Sequence, residues 1–136
     1  MFIPRKSKYK KAFKGRIRGN SKGGTSLLFG DYGLKALTSG KVTSKQLEAT
    51  RRVISRTLKR AGKVWIRIFP DTPVTKKPAD VRMGKGKGSV ECWVFKVKPG
   101  RILFEVNDVP LYLAESALSK AVSKLPLKCK FISSHS

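Results

Sequence analysis

The first carboxylate in this chain is Asp31. Ahead of it, residues 1–24 (MFIPRKSKYKKAFKGRIRGNSKGG) hold nine Lys and Arg and no acid. That segment has too few apolar side chains to build a core of its own, so the fold has to come from residues 25–136. Tyr9 and Phe13 sit among the cations. Such a segment suits an arm that threads along phosphates and stacks its rings on bases or sugars; a solvated tail is the plain alternative. The bias continues beyond the arm. Over 136 residues, 31 Lys+Arg stand against 8 Asp+Glu, a formal net charge of +23. Self-repulsion on that scale weakens a compact state unless a polyanion offsets it. Nucleic acid is the first expectation, an anionic membrane surface the second.

Several classes drop out. No apolar run approaches the roughly 20 residues that span a bilayer. The N-terminus lacks the apolar centre of a secretory signal, and its lysine-rich start shows no apolar helical face of the kind an import sequence needs. Cys92 and Cys129 match no metal-ligand spacing and read as reduced, half-buried strand residues. His135 is the lone histidine. With no second histidine and no clustered carboxylates, the sequence argues against a zinc site or a histidine-based catalytic set, and no cofactor is expected.

Along the body, TSLLFGDYGLKALT (25–38) reads as a short strand, a Gly-marked bend and a second extended piece. In the following VTSKQLEATRRVISRTLKRAG, Thr43 and Gln46 fit a capping box, and Gly62 fits the position just past a helix end. Leu47, Ile54, Leu58 and Ala61 fall on one stripe. Lys45, Arg52, Arg56, Lys59 and Arg60 share the opposite face, an arc of roughly 100°. Glu48, able to pair with Arg52, is the only acid there. Solvated faces mix charge signs, so a single-sign face favours RNA contact.

KVWIRIF (63–69) alternates as a strand, with Val64, Ile66 and Ile68 on one side and Trp65, Arg67 and Phe69 on the other. VECWVFKVK (90–98) places Trp93, Phe95 and Val97 together, and Pro99-Gly100 suggests a hairpin turn into RILFEV (101–106). Pro110 suits the first position of a second helix over 110–124, with Leu111, Ala114, Ala117, Leu118, Ala121 and Val122 inward. LKCKFI (127–132) reads as an edge strand. The order predicts a single α+β domain.

Between the strands, PDTPVTKKPADVRMGKGKGS (70–89) is long for a structureless connection, a length that is usually functional. Three prolines stiffen its first half, while Gly84, Gly86 and Gly88 free the second and let backbone N–H groups approach phosphate oxygens. It is no Walker A loop, because each Gly-Lys is followed by glycine. The dinucleotide pattern fails as well, with Ser89 and Glu91 at the third-glycine positions. A plain mobile hairpin is the alternative.

Together, PRKSKYKKAFKGRIRG, FGDYGLKAL, LEATRRVISRTLKRAGKVWIRIFPDTPVTKKPADVRMGKGKGSVE and VKPGRILFEV resemble the bacterial-type large-subunit ribosomal protein L-sixteen family, collinearly from about Pro4 to Ile132. WIRIFPD followed by RMGKGKG is its most specific signature. The resemblance implies a hammerhead-type α+β fold, a mixed sheet covered by two helices, carrying a basic arm and a projecting Gly/Lys loop. It implies a non-enzymatic protein seated on large-subunit rRNA beside the aminoacyl-tRNA site, with tRNAs and neighbouring ribosomal proteins as partners and no small-molecule substrate.

Carried over, Arg5, Lys6, Lys8, Lys10, Lys11, Lys14, Arg16 and Arg18 are the arm's rRNA contacts. Lys45, Arg51, Arg52, Arg56, Lys59 and Arg60 are those of the basic helix. Arg82, Met83, Gly84, Lys85, Gly86, Lys87 and Gly88 form the loop tip toward the peptidyl-transferase region and tRNA, and Arg82 is a candidate for the hydroxylation seen at this arginine in some bacteria. The family arm usually reads Pro-Lys-Arg-Thr-Lys; here Pro-Arg-Lys-Ser-Lys moves the guanidinium one place. A DNA-compacting architectural protein is the runner-up, and a nucleotide-using enzyme is remote. Heavy use of Lys, Ile, Phe and Ser suggests an A/T-rich genome, so the compartment is a mitochondrial matrix, with the protein encoded in the organelle, or a bacterial cytoplasm.

Overall fold

The computed structural model describes residues 3–5, 17–76 and 89–134. Element order is β1 (Tyr32–Ala36), β2 (Gly40–Thr43), α1 (Ser44–Leu58), β3 (Lys63–Ile66), β4 (Thr72–Lys76), β5 (Ser89–Val97), β6 (Ile102–Asn107), α2 (Leu111–Val122) and β7 (Cys129–Ser133). Among the described residues, two helices and seven strands form one α+β domain, as the sequence predicts. The strands divide into two antiparallel sheets, β3–β6–β1–β7 and β2–β5–β4.

α1 begins at Thr43, whose Oγ1 accepts the Gln46 N–H at 3.1 Å while Gln46 Oε1 accepts the Thr43 N–H at 2.9 Å. This reciprocal cap satisfies two N–H groups that the helix cannot. Leu47, Ile54 and Leu58 are buried and join one core with Leu34, Phe104 and Val106 of the larger sheet, Val42 and Val97 of the smaller, and Ala117, Leu118 and Ala121 of α2. Burying each large aliphatic side chain stabilises by about 1.5–3 kcal/mol.

The structure corrects several expectations. α1 ends at Leu58, leaving Ala61 exposed. The C-cap is Lys59 in a left-handed conformation, not Gly62. Gly62 (φ +67°) instead turns the chain into β3, where a Cβ would stand 2.3 Å from the Asn107 carbonyl oxygen. β3 stops at Ile66, because the chain is then leaving for the second sheet. The start of the presumed loop is structured: Thr72–Lys76 pairs with β5, and Pro73 is tolerated because β4 is an edge strand whose free side needs no N–H.

Pro99-Gly100 does not close a hairpin. Gly100 N–H bonds Ala36 O at 2.8 Å and Ala36 N–H bonds Arg101 O at 2.8 Å, so the corner carries the chain from one sheet into the other. In α2 the first turn overhangs the core: Pro110 is the N-cap, Leu111 is exposed, and so is Tyr112. β7 is the expected edge strand.

Residues 25–31 form no strand. Their anchor is Glu105, fully buried on β6, whose Oε1 accepts the N–H groups of Leu28, Phe29 and Gly30 at 2.9, 3.0 and 3.0 Å. Its Oε2 pairs with Arg67 Nη1. Gly30 permits this close approach, since a Cβ there would lie 2.6 Å from Val106 O. Burial pushes the Glu105 carboxyl up. The Gly30 N–H, the Arg67 guanidinium and the N–H groups of Phe29 and Leu28 outweigh it and hold the pKa below the ordinary carboxylate value.

Candidate nucleic-acid interface

The burial of Leu47, Ile54 and Leu58 fixes the roll of α1 and turns its cations outward. Lys45, Arg52, Arg56, Lys59 and Arg60 are exposed, and Arg51 is half-buried beside them. Against these six cations the helix and its C-cap offer one acid, Glu48. Arg51 donates to Glu48 through Nε at 3.0 Å and Nη2 at 2.5 Å, and Arg52 donates through Nε at 3.2 Å. The Arg51 hydrogen bonds, against partial desolvation and helped by Arg52, hold the Glu48 carboxyl at about 2. The pair with Arg52 is the one the sequence predicts; the fork with Arg51 adds to it and presets that guanidinium's plane. The surplus is five positive charges.

Arg51, Arg52, Ser55, Arg56, Lys59 and Arg60 line one open groove of about 440 Å³. Arg51, Ser55 and Arg60 also border a second depression that continues to Gly62, Val64 and Ile66 on β3. Lys59 (φ 53°) and Arg60 (φ 65°) are consecutive left-handed residues without being glycine. That conformation costs about 1–2 kcal/mol per residue. It ends the helix through Arg60 N–H to Ser55 O at 3.3 Å and keeps both side chains on the groove. A concave run of guanidinium and ammonium groups with no competing acid is suited to a chain of phosphates, and the Arg forks to bidentate contact.

Of the other expected residues, Lys45 is exposed but lines no part of the groove, and neither do Arg5 and Arg18, both exposed. Lys6, Lys8, Lys10, Lys11, Lys14 and Arg16, the tip residues Arg82, Met83, Gly84, Lys85, Gly86, Lys87 and Gly88, and His135 lie outside the described residues. The root of the arm is held: Ser21 N–H bonds Pro99 O at 2.9 Å, and Gly24 O accepts the Ile102 N–H at 2.7 Å. Among the described residues no cluster of three or more His, Cys, Asp and Glu could hold a metal. Cys92 and Cys129 are free and half-buried, and burial pushes the Cys129 thiol up to about 11.

Sequence reasoning passed over Glu105, Arg67 and Arg101. Arg67 is a lone charge in WIRIF, and Arg101 and Glu105 stand among the apolar residues of RILFEV, and that was the available signal. An ion inside WIRIF or RILFEV either faces water or needs a buried partner.

Fold and groove define a small α+β protein that presents a cationic groove on one helix, where the one acid, Glu48, is engaged by Arg51 and Arg52. The family described as ribosomal protein L16p/L10e matches residues 4–132, and the chain belongs to that family. It is similar to proteins named large ribosomal subunit protein uL16 from Erythrobacter litoralis (62% identical, covering 97% of this chain and 92% of the relative) and Sphingopyxis alaskensis (61%, with the same coverage). The protein of that name from Azorhizobium caulinodans is 59% identical, over 97% of this chain and 96% of its own. These are structural ribosomal proteins, so the chain is not an enzyme. All three relatives are bacterial, which fits a bacterial cytoplasm and gives the mitochondrial alternative no support.

Proposed function

We propose that this chain is a structural constituent of the large ribosomal subunit in a bacterial cytoplasm, gripping rRNA phosphates with the α1 groove and the basic arm. Neighbouring large-subunit proteins complete its surroundings. The carrying observation is the groove itself, where six lining residues include five cations and the sole acid on that helix is already engaged. On the same reading the RMGKGKG segment approaches the aminoacyl and peptidyl sites, and the protein helps position tRNA while leaving chemistry to RNA. The relatives' names support the subunit assignment; the loop's role rests on the family resemblance.

The test is salt dependence. Each phosphate neutralised on duplex RNA or DNA contributes a slope of about −0.9 in log K against log salt. Arg52→Ala with Arg56→Ala should flatten the slope for an rRNA fragment by about 2 and reduce co-sedimentation with large subunits at physiological salt. An unchanged slope would defeat the groove assignment, and equal affinity for random duplex DNA would favour the architectural alternative. For the loop, Gly86→Val should impair tRNA accommodation or subunit maturation; normal translation and normal subunit assembly in that variant would defeat it.

A further inference from the structure

In WIRIFPD, two of the polar and aromatic side chains have internal partners among the described residues and two do not. Trp65 stacks on Phe29 with ring centroids 5.8 Å apart, and Arg67 pairs with Glu105 and lies 5.2 Å from the Phe29 ring centre. Phe69 and Asp71 have no such task. Phe69 is 44% exposed, and Asp71, also exposed, has no ion-pair partner among the described residues, accepting only the Thr72 hydroxyl at 3.2 Å.

Both residues line a cleft of about 370 Å³ with Ile66, Arg67, Ile68, Phe95 and Arg101, where the chain leaves β3 and crosses toward β4. That volume falls within the range of small-ligand sites. Of its two cations, Arg67 is committed to Glu105 and Arg101 is locked in place. The Arg101 guanidinium lies 5.4 Å from the Phe95 ring centre and donates to Arg67 O at 3.2 Å and Gly23 O at 3.4 Å. Gly24 covers it so closely that a Cβ would stand 2.8 Å from Arg101 Cζ. Those bonds occupy two of five N–H donors, and Nε is buried without a partner.

We infer that this cleft receives one unstacked RNA base, guanine in preference, stacked on Phe69, with the Asp71 carboxylate accepting its N1–H and N2–H donors and Arg101 donating toward O6 and N7. A carboxylate is repelled by phosphates, so an unpaired Asp on a strongly basic RNA-binding chain is suited to a base edge and not to the backbone. Adenine presents no adjacent pair of donors on that edge, and uracil only one. The inference rests on the RNA reading of the α1 groove and adds to it a base-specific contact on a different face.

The full-length protein is titrated, by fluorescence anisotropy, with hairpin RNAs identical except for one bulged nucleotide: guanosine, inosine, adenosine or an abasic site. Guanosine should bind tightest, inosine less well for want of the N2 amine, and the abasic hairpin on the order of tenfold more weakly. Phe69→Ala should erase the difference between guanosine and abasic hairpins, and Asp71→Asn should narrow that between guanosine and adenosine to what the Arg101 contact with O6 sustains, each with unchanged salt slope and melting temperature. Arg52→Ala with Arg56→Ala should weaken all four hairpins alike and keep their ranking. If the wild type fails to distinguish guanosine from the abasic site while the groove variant still weakens binding, the cleft inference is overturned and the groove stands. If the groove variant changes nothing, the groove reading fails instead.

Discussion

Consider the substitution Glu105→Gln. The amide preserves the size of the side chain and one acceptor oxygen, so packing on β6 and a neutral version of the bonds from Leu28, Phe29 and Gly30 can persist. The charge does not persist, and Arg67, whose side chain is 12% exposed, is left as an ion without its counter-ion. Removing one member of a buried pair costs about 3–5 kcal/mol, and the retained acceptor places this case at the low end, about 3 kcal/mol. With a urea dependence of about 2 kcal/mol/M, the midpoint should fall by about 1.5 M. Trp65, stacked on Phe29 beside the pair, gives a fluorescence readout of the region affected.

The pH dependence sharpens the test. Glu105 has a folded pKa below its ordinary value, so its contribution is complete above about 4.5 and is lost as pH falls through the folded value. The gap between wild type and variant should be widest near neutrality and close below about pH 4.5. Glu48, held at about 2, loses its contribution in the same range in both proteins and cancels in the comparison. Equal midpoints at pH 7, or a gap constant from pH 7 to 3, would refute the assignment of Glu105 as the ionised anchor of residues 25–31.

Three further outcomes are expected. Lys59→Gly relieves a left-handed lysine and should stabilise the protein by about 0.5–1 kcal/mol, seen by calorimetry as a melting point higher by about 3 °C, while the RNA salt slope falls by about 1. Gly62→Ala forces a Cβ to within 2.3 Å of Asn107 O and 2.7 Å of Val109 Cγ1 at a positive φ, and should cost at least about 2 kcal/mol in urea denaturation. Cys129, with its thiol near 11, should resist iodoacetamide at pH 8 in the folded protein and react once urea unfolds it.

What the sequence revealed was whatever is decided locally. The Thr43–Gln46 box and the stripe of Leu47, Ile54 and Leu58 are short-range patterns, and the groove's cations follow from the same 3.6-residue period. The strand segments around Trp65, Phe95 and Phe104 were also legible, from alternation. Their pairing was not. Pro99-Gly100 has the composition of a hairpin turn, and only hydrogen bonds from the distant Ala36 and Gly24 decide that it is a corner between sheets. β4 was obscured by Pro73, whose cost vanishes at an edge that sequence cannot identify. Within the site, the left-handed pair at Lys59 and Arg60 has no local signature. Glu105 looks like an ordinary strand acid until three N–H groups from residues 28–30 close on it.

The smaller sheet has an unequal division of labour along β5. Residues 94–97 are bonded to β2, while 89–93 are bonded only to β4, so the two-stranded portion runs about 15 Å past its support. Lys76 opposite Ser89 is the last rung of that ladder, and the segment 77–88 departs from and returns to a single place. The body thus works like a bracket bolted at one end. Lengthening or shortening the segment beyond the last rung leaves the bolts untouched, whereas deleting one residue from β4 would rotate the whole attachment onto its reverse side. Natural variation in this region should therefore tolerate changes of length beyond Lys76 and resist them between Thr72 and Lys76.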